Sequence, residues 1–253
     1  MQDIKGIIFD IGGVLYVGDT PIEGAIEAIS KIKRKYKVRF LTNSTRRPPK
    51  AIYKKLKDMG FSVKKDEIFT ALSATKDYLK SKNAKIYPIL TDEALVFMGS
   101  LVDENPKYVV VGDAYTNFTY ERLNIAFRHL NSGAKLIATA KNRYFKDTDN
   151  NLSLDMGGFI KLLEYASNKK AKVIGKPNRE FFNLAIKSMN LTPKEVIMVG
   201  DDIENDILGA QRANLKTVLV KSGKFKESDL KKDIKPDFII DSVANLPKLL
   251  SLE

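Results

Sequence analysis

Asp10 closes the run KGIIFD (5–10), Thr42 and Asn43 close KVRFLTN (37–43), Lys176 closes KVIGK (172–176), and Asp201 closes EVIMVGD (195–201). Two carboxylates, a hydroxyl, an amide and an ammonium group form a mixture with a chemical meaning. Oxygen ligands with few nitrogens suit a hard cation, and Mg²⁺ is usually held by one or two carboxylates with substrate phosphate and water. The Lys176 ammonium can offset further negative charge, while Thr42 and Asn43 offer donors to phosphate oxygens. Phosphoryl transfer needs little beyond a nucleophile, a cation and donors around the equatorial oxygens. An aspartate can be that nucleophile, passing through an aspartyl-phosphate. Singly, acids at strand ends are ordinary solubilising groups, and Lys176-Pro177 alone would be a plain turn. Their common station is what gives them weight.

That station follows from the elements around them. KGIIFD has the apolar profile of a buried strand. A helix follows with Ile22, Ile26, Ile29 and Ile32 on one stripe, and after KVRFLTN a second helix starts at Pro48-Pro49 with Ile52, Leu56 and Met59 on its apolar face. The order β-α-β-α implies a parallel sheet covered by helices. The C-terminal third repeats it, with strands at 172–176, 195–201, 216–221 and 237–241 and helices in REFFNLAIKSM and ENDILGAQRA. The middle has its own units: strands AKIYPIL, KYVVVGD and AKLIATA, and helices FTYERLNIAFRHL and DMGGFIKLLEYASN. The expected fold class is α/β, a doubly wound parallel sheet with a Rossmann-like core and an inserted α/β cap domain. Residues 1–72 and 172–253 form the core and 73–171 the insert. Open α/β sheets bind ligands outside the carboxyl ends of their strands, so the polar stations should converge on one edge.

Composition narrows the alternatives. The 253 residues carry 43 Lys and Arg against 31 Asp and Glu, a net charge of +12, with no cysteine and His129 as the sole histidine. Disulfides, thiolate zinc sites and cysteine nucleophiles are excluded, as is any site built on two imidazoles. His129, on a helix of the insert, reads as structural or exposed. The basic residues are interleaved with acids and apolar residues rather than gathered with aromatic stacking partners, so a solvated surface fits better than nucleic-acid binding. No basic-then-apolar leader and no apolar run of ~18 residues occurs, which makes a cytoplasmic chain without membrane contact the expectation. Asp147, Asp149, Asn151, Ser153 and Asp155 alternate like a calcium loop, but Leu152 and Gly158 stand where that loop needs Gly and Glu. The segment reads as a polar loop of the insert. Gly12-Gly13 is not a P-loop, and no dinucleotide fingerprint exists. Asp202 and Glu204 read as first-turn acids favoured by a helix dipole.

FDIGGVLY (9–16), FLTNS (40–44), VIGKP (173–177) and VGDDIENDI (199–207) resemble, in order, the four motifs of haloacid dehalogenase superfamily phosphatases. Their spacing is similar to the class with a large α/β cap between the second and third motifs, the N-acetylglucosamine-phosphate and 4-nitrophenyl-phosphate phosphatase type. Within it, DIGGVLY, KVRFLTNST, NRYFKDTDNNLSLDMGGFIKLLEYA and GKFKESD resemble the phospholysine phosphohistidine inorganic pyrophosphate phosphatase group. The resemblance implies Asp10 as nucleophile and Mg²⁺ ligand, the Gly12 carbonyl and Asp201 as further ligands, and Asp206 as an outer metal partner with Asp202 less so. It implies Thr42, Asn43 and the Gly12 loop as the phosphate site, with Lys176 neutralising phosphate and the Asp10 carboxylate. One departure is plain. The family usually has a second Asp, the general acid and base, at the place of Gly12. The expectation is a Mg²⁺-dependent phosphatase of a small phosphorylated molecule or pyrophosphate, favouring leaving groups that depart readily. A phosphoryl-binding protein with weak turnover is the alternative, and any homodimer would form through the cap.

Overall fold

The computed structural model describes residues 3–146 and 151–252. Six parallel strands form the larger sheet, in the order Phe238–Ile240, Lys216–Val220, Val196–Gly200, Gly6–Asp10, Lys37–Thr42, Ile68–Thr70. The chain leaves Gly6–Asp10 to one side and later returns on the other, so the strand order reverses between Gly6–Asp10 and Val196–Gly200. Alternation along the strands supplies both faces. Ile7, Phe9, Phe40 and Val199 pack with Ile29 and Ile32 of helix Ala25–Lys33, while Ile8, Leu41 and Met198 pack with Phe181 and Phe182 of helix Arg179–Ser188.

A second parallel sheet of four strands runs Lys172–Val173, Lys135–Ala138, Tyr108–Val111, Ile86–Ile89. Val109, Val111, Leu136 and Ala138 pack against Ala126 and Leu130 of helix Tyr120–Asn131 and Ile160 and Leu163 of helix Gly157–Ser167.

Three local expectations need correction. Residues 172–176 do not form a strand of the larger sheet: Lys172 and Val173 pair with Ile137 and Ala138, and Ile174 and Gly175 donate to the Ala138 and Thr139 carbonyls. A run of two apolar residues cannot reveal which sheet edge will accept it. Lys176 therefore reaches the larger sheet from the loop that enters helix Arg179–Ser188. The acidic stretch of the insert is not all loop, because Tyr144–Lys146 and Leu152–Leu154 form an antiparallel hairpin. Leu152 and Leu154 face outward, which hid its strand pattern. Asp147 and Asp149 lie outside the described residues. Finally, the edge strand Ile68–Thr70 escaped notice because it is three residues long and runs straight into helix Ala71–Ser81, capped by Thr70 Oγ1 accepting from Ser73 N at 3.0 Å.

Candidate active site at the switch point of the larger sheet

Register brings the polar stations level. Asp10 pairs with Leu41, one residue before Thr42, and Phe9 pairs with Val199, two residues before Asp201. Ligand atoms of Asp10, Asp201 and Asp206 lie within 4.8 Å of one another, and all three are buried. Asp206 comes from the wide helical turn Ile203–Leu208, where its Oδ2 accepts from Asp202 N at 3.1 Å. Lys176 is 2% exposed, with Nζ 2.5 Å from Asp10 Oδ1, 2.6 Å from Asp206 Oδ1 and 3.2 Å from the Leu41 carbonyl. The same ammonium thus pairs with both Asp10 and Asp206.

Lys176 owes its place to Asn43. Asn43 Oδ1 accepts from Lys176 N at 2.8 Å, and Nδ2 donates to the Lys176 carbonyl at 2.9 Å and to Asn142 Oδ1 at 3.0 Å. Both amide hydrogens are thereby used. Thr42 Oγ1 accepts from Ser44 N at 3.0 Å and keeps its own hydrogen for another acceptor. Asp201 is fixed by Lys224 N, which donates to Oδ2 at 2.7 Å. Two glycines make room for it: a Cβ on Gly13 (φ +84°) or on Gly223 (φ +66°) would lie 2.1 Å from Asp201 Oδ2. Gly12 differs, since a Cβ there would meet nothing within 4 Å.

Electrostatics point to a missing positive charge. Burial raises Asp201 well above the ordinary carboxyl range, with Asp10 and Asp206 adding to it. Burial raises Asp206 too, against the pull of Lys176. Burial would lower Lys176, yet Asp10 and Asp206 outweigh it and hold the ammonium above its usual value. Three clustered carboxylates, two of them paired with Lys176, suit a hard divalent cation.

These groups open onto a cavity of about 360 Å³. Asn142, Asp113, Phe145 and Asp155 line it from the insert, and Tyr16, Arg46, Arg47 and Lys224 from the core. Arg46 is already engaged, its Nε 2.9 Å from Asp113 Oδ2 and its guanidinium between the Tyr115 and Phe145 rings at 4.6 and 5.1 Å. Burial beside the Asp10 carboxylate pushes the Tyr16 phenol up to about 12. Asp202 caps the turn after Asp201, accepting from Glu204 N and Asn205 N at 3.0 and 2.9 Å, as first-turn acids do. His129 packs against Tyr87 with ring centroids 5.1 Å apart and planes tilted by 43°, and does not line the cavity. Sequence reasoning missed Asn142, Asp113 and Asp155, because contacts between the insert and the core have no local signature. Arg46, just after FLTNS, and Lys224, within GKFKESD, were at least adjacent to recognised motifs.

The strand order and the acid cluster at its reversal are those of a phosphoryl-transfer hydrolase. The family model for haloacid dehalogenase-like hydrolases matches residues 7–100, and a second model, HAD-hydrolase-like, matches residues 173–246. The chain belongs to the haloacid dehalogenase-like hydrolases. It is 38% identical to mouse haloacid dehalogenase-like hydrolase domain-containing protein 2, over 93% of this chain and 91% of that one. It is 36% identical to human phospholysine phosphohistidine inorganic pyrophosphate phosphatase, over 99% and 95% respectively. Among solved structures it is similar to the 4-nitrophenylphosphatase of Thermotoga maritima (TM-score 0.90, 27% identity, 97% of each chain) and to NagD of Escherichia coli (TM-score 0.85, 27% identity, 95% of this chain and 97% of that one). No helix among the described residues is long and apolar enough to cross a membrane.

Proposed function

We propose that the chain is a Mg²⁺-dependent phosphatase that hydrolyses a small phosphorylated molecule or pyrophosphate through an aspartyl-phosphate on Asp10. The observation that carries this reading is the buried Asp10 carboxylate at the cavity floor, 2.5 Å from the Lys176 ammonium and clustered with Asp201 and Asp206. The Asp10 carboxylate, Asp201, Asp206 and the Gly12 carbonyl would hold the cation, which when bound neutralises phosphate charge and fixes its orientation. Asp10 attacks phosphorus with a carboxylate oxygen. Lys176 sits where it stabilises both the attacking carboxylate and the equatorial oxygens as charge shifts between them. Thr42 donates its hydroxyl hydrogen to the phosphate. The Asn43 side chain positions Lys176, so any contact of Asn43 with phosphate falls to its backbone N–H.

Residues 73–171 act as the cap. Arg46–Asp113 and Asn43–Asn142 join it to the core at the cavity, and its closure excludes bulk water. Gly12 provides no proton donor, so aryl and acyl phosphates, phosphoramidates and pyrophosphate should turn over faster at neutral pH than alkyl phosphates. The test combines Asp10→Asn with turnover in ¹⁸O-water. The variant should fold, bind Mg²⁺ and lose turnover, and wild type in ¹⁸O-water should place the label in phosphate and none in Asp10, because water attacks phosphorus and the bond from phosphorus to Asp10 breaks. A variant turning over near the wild-type rate would mean direct attack by water. Tight phosphate binding without turnover in wild type would return the binding-protein alternative.

A further inference from the structure

Asp155 is a buried carboxyl of the cavity to which the scheme above gives no work. It lies between strand Leu152–Leu154 and helix Gly157–Ser167, 6% exposed, on the same cavity as Asp10, Thr42 and Lys176. Its position is fixed by its own backbone and its neighbours'. Asp155 N donates to the Arg143 carbonyl at 3.1 Å, Met156 N donates to Asp155 Oδ1 at 2.7 Å, and Gly157 N donates to the Asn142 carbonyl at 2.9 Å. The approach at Gly157 is close enough that a Cβ would lie 2.4 Å from that carbonyl oxygen. Asn142 is in turn bonded to Asn43, which holds Lys176. A short chain of hydrogen bonds thus ties the Asp155 segment to the residue that pairs with the nucleophile.

We propose that Asp155 performs the proton transfers for which Gly12 has no side chain. The proposal rests on the aspartyl-phosphate reading. In the first half-reaction an Asp10 oxygen forms a bond to phosphorus and the bond from phosphorus to the leaving oxygen breaks. The protonated Asp155 carboxyl gives its proton to that oxygen and becomes a carboxylate. In the second, water attacks phosphorus and the bond from phosphorus to Asp10 breaks. Asp155 takes the proton that water loses, which restores both carboxyl groups.

The surroundings suit a group that must do both. Burial pushes the Asp155 carboxyl up to about 6; Asp113 adds to the rise, while the Met156 N–H, Lys224 and Arg46 restrain it. Acid and base forms are then both present near neutrality, where a proton-transfer group is most effective. Other cavity groups are less suited. The Tyr16 phenol is near 12, Asp113 is paired with Arg46, and Asp202 is spent on the turn that follows it.

Wild type gives the first test. As pH falls through about 6, kcat/KM for an alkyl phosphate should rise relative to that for 4-nitrophenyl phosphate, whose leaving group needs no proton. A ratio flat from pH 5 to 8 would refute the proton-donor role. Asp155→Asn, checked for fold by circular dichroism and for Mg²⁺ binding, gives the second. Alkyl-phosphate kcat/KM should drop about 10²–10⁴-fold, the usual worth of a positioned acid or base. With 4-nitrophenyl phosphate the variant should release a rapid burst of nitrophenolate, then turn over at least tenfold more slowly than wild type. Acid quench should find the phosphoryl group on the protein. Equal slowing of both substrates without a burst, or no change in either, would overturn the proposal. A selective fall in alkyl-phosphate turnover with no phosphorylated protein would uphold Asp155 as the donor and count against the Asp10 intermediate instead.

Discussion

Replacing Lys176 by Met keeps most of the stem and removes the one ammonium between Asp10 and Asp206. At about 2.5 Å and an effective dielectric of 20, each contact represents about 6 kcal/mol of gross attraction. Desolvation and protonation of an abandoned carboxyl cancel much of this. Breaking a buried pair from one side typically leaves a loss of about 3–5 kcal/mol. For a chain of this size each kcal/mol moves Tm by about 2–4 °C, so metal-free Lys176→Met should melt about 6–20 °C below wild type. The loss should depend on pH. Burial has already raised Asp206 above its unfolded value, and without Lys176 it rises further. The folded variant then binds more protons than the unfolded chain across that widened window, so its stability falls as pH rises through it. The Tm gap to wild type should be smaller near pH 5 than near pH 8. In activity, loss of one charge-stabilising donor is worth about 2.7–4 kcal/mol, or about 10²–10³-fold in kcat/KM. Calorimetry at several pH values, with and without Mg²⁺, and steady-state kinetics on 4-nitrophenyl phosphate measure both effects. A kcat/KM within threefold of wild type would remove Lys176 from the reacting phosphate. A Tm gap that does not change with pH would show that the abandoned carboxyls are not desolvated.

Gly13→Ala should displace the Asp201 carboxylate, since the new methyl would lie 2.1 Å from Oδ2 on backbone at φ +84°. Mg²⁺ affinity measured by calorimetry should fall at least tenfold, and unchanged affinity would exclude Asp201 from the metal site. Gly12→Asp has room, because a Cβ there meets nothing within 4 Å. It should raise alkyl-phosphate turnover relative to aryl-phosphate turnover and rescue Asp155→Asn for alkyl substrates; a double variant as slow on them as Asp155→Asn would contradict this.

The chain alone fixes the class of fold and the floor of the site because both are written in short range. KGIIFD and EVIMVGD are apolar runs that end in an acid, each set among alternating strands and helices, so both join a parallel sheet with their acids at one edge; that the two strands are neighbours is decided by the fold. Asp10, Thr42 and Asp201 could therefore be placed level without coordinates. Periodicity also found the helices with strong apolar stripes, such as Ala25–Lys33 and Tyr120–Asn131. It failed at Ile68–Thr70, where three residues carry no period, and at 172–176 it found a strand but not the sheet that Lys172–Val173 joins. Only tertiary structure decided what reaches down from the insert. Asp155 stood in an alternating acidic stretch that is mostly solvent-facing in sequence terms, and nothing nearby marks it as buried. Its burial comes from Gly157 pressed against the Asn142 carbonyl and from Asn142 bonded to Asn43, 99 residues earlier in the chain. The same holds for Arg46, whose partner Asp113 lies 67 residues further along the chain. A side chain's partner sets its protonation and its chemistry, and partners that distant in sequence are chosen by the fold.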